Sequence, residues 1–150
     1  MLNIITKIRG YIAVCFTSGV IGALAVVIFS LVLYYAGIAA LMGVAAPPKL
    51  APPDIYRPLF WGGLWAIPFG LITWKRESHY YLIGWLYFLA PVLALYFIFA
   101  PMRGLGLFGL SKGLLFTFYL LLVNVPYGIV TAILARWLSP SAATRPGNQT

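Results

Sequence analysis

Gly104, Gly106 and Gly109 in the stretch RGLGLFGLSKG fall into the spacing G-x-G-x-x-G. In dinucleotide-binding folds this spacing lets a tight backbone turn cradle a pyrophosphate, but the chemistry also needs a strand before the glycines, a helix after them and an acid about 20 residues on to hold a ribose. Long apolar runs flank the stretch on both sides, and no Asp or Glu follows Glu77. The stretch therefore reads as an interfacial turn whose glycines let two helices reverse direction. Arg103, Lys112 and the exposed amides of this turn are candidates to hold a lipid head-group phosphate.

Other reactive types are sparse. Asp54 and Glu77 are the only acids and His79 the only histidine. The two acids lie far apart in sequence, both in expected loops, so no general acid–base pair is apparent. One histidine cannot ligate a haem from both faces, and Glu77-x-His79 in a loop reads as solvated rather than as a metal site. Cys15 is single, which excludes an internal disulfide and makes it a small apolar residue of its helix. The chain is therefore expected to be non-catalytic, with no metal and no cofactor.

The elements that position these residues follow from composition. Of the 150 residues, 63% are hydrophobic and 8% charged, with a mean hydropathy of +0.97, which is the composition of an integral membrane protein. The charged residues stand in islands: Lys7 and Arg9; Lys49, Asp54 and Arg57; Lys75, Arg76 and Glu77; Arg103 and Lys112; Arg136 and Arg145. A net charge of +8 on a soluble protein would suggest nucleic acid. Here the basic residues flank apolar spans, where they meet anionic lipid, and no nucleic-acid partner is expected.

The runs between the islands predict an all-α polytopic membrane protein, a bundle of four transmembrane helices over about residues 12–39, 58–74, 80–102 and 113–135, with a short polar tail at 138–150. A span needs roughly 20 apolar residues. The first run is too long for the 7–15-residue core of a signal peptide and reads as an uncleaved anchor. Pro47, Pro48, Pro52 and Pro53 predict an extended connection between the first two spans. Trp61, Trp74, Trp85, Trp137, Tyr80 and Tyr81 lie near predicted ends, where amphipathic rings favour the interface. With the amino terminus inside, Lys7, Arg9, Lys75, Arg76, Arg136 and Arg145 face the cytoplasm against Lys49, Arg57, Arg103 and Lys112 outside, a bias that places both termini in the cytoplasm.

Pro68, Pro91 and Pro126 fall inside spans and free the carbonyls of Leu64, Tyr87 and Leu122, so three helices should be kinked and each carbonyl should find another donor. Asn124 lies mid-span beside Pro126. An amide there must face protein, either as interhelical glue or as a pore-lining group, with Thr117, Thr131 and Tyr127 within range of its network. Ser18, Gly19, Gly22 and Ala23 form small-x-x-x-small pairs that suit close helix contacts, inside the fold or between copies. Trp61 and Trp65, four apart, share a helix face.

The segments WGGLWAIPFG, APVLALYFIFAPMRGLGLFGL and LLLVNVPYGIV together resemble a family of uncharacterised small bacterial integral membrane proteins. Members carry W-G-G-x-W in the second helix, a third helix ending in proline before a glycine-rich turn, and an asparagine in the last helix. The resemblance covers roughly residues 57–137, with Val123 and Tyr127 standing where the family's F-N-x-x-W-G-like last helix has Phe and Trp. It implies a four-helix protein of the bacterial inner membrane and no activity. Two functions are compatible with these features: an accessory or assembly subunit that packs against itself or a larger membrane complex, and a small homo-oligomeric channel or transporter whose path is lined by Asn124 and the proline kinks.

Overall fold

The computed structural model describes residues 2–74 and 78–139, and among them every regular element is helical. Lys75, Arg76 and Glu77 of one charged island and residues 140–150, most of the expected tail, lie outside the described residues. Helix α1 (Leu2–Tyr35) is followed by the single turn α2 (Ile38–Leu41) and by α3 (Pro52–Thr73). The next segment comprises α4 (Tyr80–Tyr87), α5 (Leu89–Ala94), a π-helical turn (Leu95–Phe99) and α6 (Ala100–Met102). A 3₁₀ turn (Leu107–Lys112) then leads into α7 (Leu114–Leu138).

Three of these segments are long and apolar enough to cross a membrane: Ile5–Tyr35, Tyr80–Met102 and Leu114–Leu138. Helix α3 is not among them. Its first turns carry Asp54 and Arg57, and its glycines and prolines dilute the apolar remainder.

Neighbouring long segments run antiparallel. Tyr11 of α1 meets Thr73 of α3, while Gly19 and Ala23 meet Ala66 and Gly62. Cys15 shares a cluster with Ala132 and Ala135 of α7, and Leu33 shares one with Phe116. Gly84 packs on Ala132, and Tyr96 reaches Thr117. The start of α1 and the end of α7 therefore lie at one end, with the α2 turn and the glycine-rich turn at the other.

Several expected boundaries shift. Helix α1 begins at Leu2 rather than near residue 12, because Lys7 and Arg9 are accommodated on its exposed surface. It stops at Tyr35 rather than 39, where Gly37 takes the left-handed conformation with φ 78°, the usual helix terminator. At about 1.5 Å per residue the helix is roughly 50 Å long, well beyond the ~30 Å hydrocarbon thickness. Pro52 and Pro53 do not extend the connection: they occupy the first positions of α3, where a missing N–H costs nothing. Helix α7 runs to Leu138, three residues past the predicted end.

Prolines act unequally. The segment Tyr80–Met102 keeps its predicted bounds but breaks at Phe88, immediately after Tyr87, the residue whose carbonyl the ring of Pro91 crowds. The π-helical turn ends just before the α6 turn that contains Pro101. Its wider winding spreads the carbonyls that Pro101 cannot pair. Helices α3 and α7, by contrast, run on as single helices past Pro68 and Pro126, so of the three prolines only Pro91 stands at a break in its helix.

The glycine-rich turn is compact. Gly104, Gly106, Phe108, Gly109 and Gly113 all have positive φ. The Phe108 ring packs on Tyr96 and Phe97 at centroid distances of 5.3 and 4.9 Å, and Thr117 Oγ1 donates to the Phe108 carbonyl at 2.8 Å. Among the described residues no strand precedes it, and no Asp or Glu follows it in the sequence, in keeping with a turn between helices.

Small residues set the helix spacing. A Cβ on Gly19 would collide with Ala66 Cβ and the Gly62 carbonyl, and one on Gly62 with Ala23 Cβ. The pairs containing Ser18, Gly19, Gly22 and Ala23 are thus consumed inside the fold, against α3 and α7, rather than left for a second copy.

Candidate functional site

Polar chemistry inside the bundle belongs to tyrosine hydroxyls. Tyr127 Oη donates to the Gly62 carbonyl at 2.6 Å, Tyr87 Oη to the Trp65 carbonyl at 2.6 Å, and Tyr96 Oη to the Thr117 carbonyl at 2.7 Å. Each bond joins two different helices. In an apolar medium a phenol must find an acceptor, and backbone carbonyls on small-residue faces are the accessible ones. The hydroxyls of Tyr127 and Tyr87 land two residues and one residue from Leu64, the carbonyl freed by Pro68, and not on it.

A second group lies toward the end that holds the start of α1. Thr73 Oγ1 donates to the Phe69 carbonyl at 2.8 Å, so its proton is committed and Tyr11 Oη, 2.8 Å away, is the donor of their mutual bond. Cys15 and Ser18 are fully buried nearby, with Ser18 Oγ bonded to the Val14 carbonyl at 2.8 Å. Tyr80 closes the group at 4% exposure, with the Arg136 guanidinium 5.2 Å from its ring centroid. Tyr80 was expected at the interface with Tyr81. Only Tyr81 is exposed there, because Phe69 and the small face of α7 take the Tyr80 ring. The Tyr80 Oη and Thr131 Oγ1 atoms are buried without a hydrogen-bond partner among the described residues.

Asn124 does not supply the expected interhelical bond. Its Nδ2 donates to the Leu120 carbonyl at 2.8 Å, one turn back on α7 itself, and the side chain is half-buried. A lone pair of an i−4 carbonyl is the nearest acceptor to an amide on a helix, so the local bond wins. Because the Leu120 carbonyl keeps its helical bond, Asn124→Leu should change unfolding free energy by no more than about 0.5 kcal/mol. Tyr127→Phe, which removes a bond between α7 and α3, should cost about 1 kcal/mol. Reversible unfolding in mixed detergent micelles measures both. A larger loss for Asn124→Leu than for Tyr127→Phe would show that the polar interior is misassigned.

At the opposite end, Lys112 and Arg103 stand on either side of the glycine-rich turn and are not brought together. Lys112 Nζ sits 5.4 Å from the Phe116 ring centroid. With Gly113, Leu114 and Leu115 it faces residues Ala40–Gly43 across an open groove of about 340 Å³. Arg103 follows the last turn of α6, exposed and outside that groove. His79 is exposed with a left-handed backbone and shares a 2.7 Å hydrogen bond between its Nδ1 and Ser78 Oγ. Asp54 is exposed in the first turn of α3. Among the described residues no three His, Cys, Asp or Glu side chains converge.

The polar network expected around Asn124 includes Tyr127 but not Tyr87 or Tyr96, whose hydroxyls also cross the interior. The available signal was positional: Tyr87, Tyr96, Tyr119 and Tyr127 lie within spans instead of at their ends. Comparison of the chain with protein-family models, with curated proteins and with solved structures returned no match.

Proposed function

We propose that this protein is a non-catalytic integral membrane subunit that packs against itself or a larger membrane complex and helps to assemble it. The observation that carries this reading is how the interior is used. Interlocked small residues and carbonyl-bonded tyrosines fill it, while the acid and histidine of the described residues lie exposed and apart. Such an interior serves to hold helices in place. The outer surface supports the same reading: large apolar side chains such as Ile28, Val32, Trp85, Phe97 and Ile133 are about half exposed, a surface for lipid and for other membrane helices.

In this reading α3 is the fourth membrane helix. From Pro58 onward it is uncharged, and its contact with α1 is the most extensive between any two elements, so it inserts in company with α1 although too polar to qualify alone. The bundle lies in a bacterial inner membrane with both termini in the cytoplasm, as the distribution of Lys and Arg favours. The resemblance of residues 57–137 to small bacterial membrane proteins supports the same setting.

Mild-detergent or nanodisc purification with intact-complex mass and identification of everything that co-purifies tests the assignment. A defined heteromeric or homo-oligomeric assembly without flux is expected. A homo-oligomer that conducts ions or solute when reconstituted would replace this reading with that of a channel or transporter. The break at Phe88 and the π-helical turn would then be the first elements to probe.

A further inference from the structure

We propose that the groove between the α2 turn and the start of α7 binds the head-group phosphate of an anionic phospholipid, with Lys112 as its cationic contact. The proposal rests on the membrane setting described above and goes beyond it by naming a ligand. The groove, about 340 Å³, is lined by Ala40, Leu41, Met42 and Gly43 on one wall and by residues 112–115 on the other. Lys112 is the one charged residue of this lining. No carboxylate competes for it there: Asp54 is the sole acid among the described residues, and it lies in α3, outside the groove.

Three independent features converge on a lipid phosphate. The first is the charge of Lys112, a compact ammonium well suited to a phosphate oxygen. The second is the start of α7, a 25-residue helix that begins at Leu114: the Phe116 and Thr117 amides are taken up by the Gly113 carbonyl at 3.2 and 3.4 Å, while Leu114 and Leu115, which line the groove, stand at the positive end of the helix dipole. The third is the apolar rim. Leu41, Leu114 and Leu115 are 78, 62 and 58% exposed and line the same groove as Lys112. A soluble phosphate has no use for leucines, whereas a phospholipid places its phosphate on the lysine and its acyl chains along them. The level is also right, since the groove lies where an apolar segment, Leu114–Leu138, starts. Arg103, the other expected head-group contact, is outside this arrangement and belongs to the general basic surface of the same end.

The test uses the full chain, extracted in mild detergent and analysed by native mass spectrometry after doping with phosphatidylglycerol or phosphatidylcholine. Wild type should retain phosphatidylglycerol in preference to phosphatidylcholine. Lys112→Gln should lower that retention about fivefold, the effect of one basic residue near an anionic lipid, while Arg103→Gln leaves it unchanged. Both positions are exposed, so both variants should keep wild-type helical circular dichroism. Equal losses in the two variants would reduce the effect to bulk charge and overturn the site, as would no preference between the lipids. Millimolar inorganic phosphate should fail to displace the lipid; displacement would mean that the groove reads free phosphate and not lipid. Alkaline carbonate extraction separates the two levels of the claim. A chain stripped from membranes would overturn both the membrane setting and the site, whereas a chain that stays in the membrane without lipid preference overturns the site alone.

Discussion

Gly128→Leu should prevent the native bundle from forming. A Cβ at position 128 would meet the Gly84 carbonyl oxygen, the Phe88 backbone nitrogen at 3.0 Å and the Trp85 carbonyl oxygen at 3.0 Å. All three are main-chain atoms of the crossing segment, so no rotamer change relieves the clash. Overpacking of this kind costs about 1–3 kcal/mol where side chains can yield, and more where backbone must move. The position also abuts the break at Phe88, where α4 ends and α5 begins, so the displaced segment is the one already weakened by Pro91. Fluorescence-detected size exclusion of detergent extracts should show loss of the monodisperse peak, with unfolding at lower denaturant in whatever survives. Gly10→Leu is the control, since nothing lies within 4 Å of its added Cβ. It should stay within about 0.5 kcal/mol of wild type. Equal damage from both would mean that the Gly84–Gly128 crossing is not where the helices meet.

Phe69→Ala should have the next largest effect. Phe69 is 1% exposed and is the largest of the fully buried side chains among the described residues. Its ring packs against Tyr80 at 5.8 Å and Tyr87 at 5.1 Å between centroids, tying α3 to the segment that follows it. In a soluble core such a truncation costs roughly 3–5 kcal/mol, the sum of lost transfer from water and the cavity left behind. Inside a membrane the transfer part falls away, because lipid tails are as apolar as the core. We therefore expect about 2 kcal/mol, mostly cavity and lost dispersion, read from the same unfolding titration. Phe69→Leu should recover more than half of it. A cost below 0.5 kcal/mol, on the order of surface substitutions, would mean that α3 does not pack as described.

Much of the helix content was legible in the chain. The charge islands bounded the apolar runs, and the segment Tyr80–Met102 has the limits expected for it. Pro91 was legible as a site of interruption because its steric effect is local. Proline at Pro52 and Pro53 misled, since the same missing N–H that breaks a helix interior is harmless in its first turn. Lys7 and Arg9 bound the first apolar run in the sequence, yet α1 starts before them at Leu2, since long basic side chains on an exposed helical face impose no boundary.

At the candidate sites the balance is different. Both Arg103 and Lys112 were identifiable as basic residues at a turn, yet only Lys112 faces the groove, because only there does α2 fold back against the start of α7. The α2 turn is made locally, by Gly37 and by the Val44 amide to the Ala39 carbonyl at 2.9 Å, but its place against α7 depends on Ala39 clustering with Phe116, Tyr119 and Val123, far away in sequence. Asn124 was identifiable as a mid-span amide, but whether it bonds across helices or back to Leu120 is decided by geometry within hydrogen-bond reach.

Composition alone determined that this chain builds apolar helices with basic ends, because the cost of placing charge and unpaired backbone in hydrocarbon is large and independent of the partner. Tertiary structure alone decided which glycines meet backbone, which tyrosines turn inward and which lysine borders the groove. Those outcomes depend on which helix faces pair, and apolar side chains are nearly indifferent to which other apolar surface they touch. The pairing follows instead from shape, from the bare backbone of Gly19, Gly62, Gly84 and Gly128 and the hydroxyls that reach across it, information that appears only when residues remote in sequence are brought together.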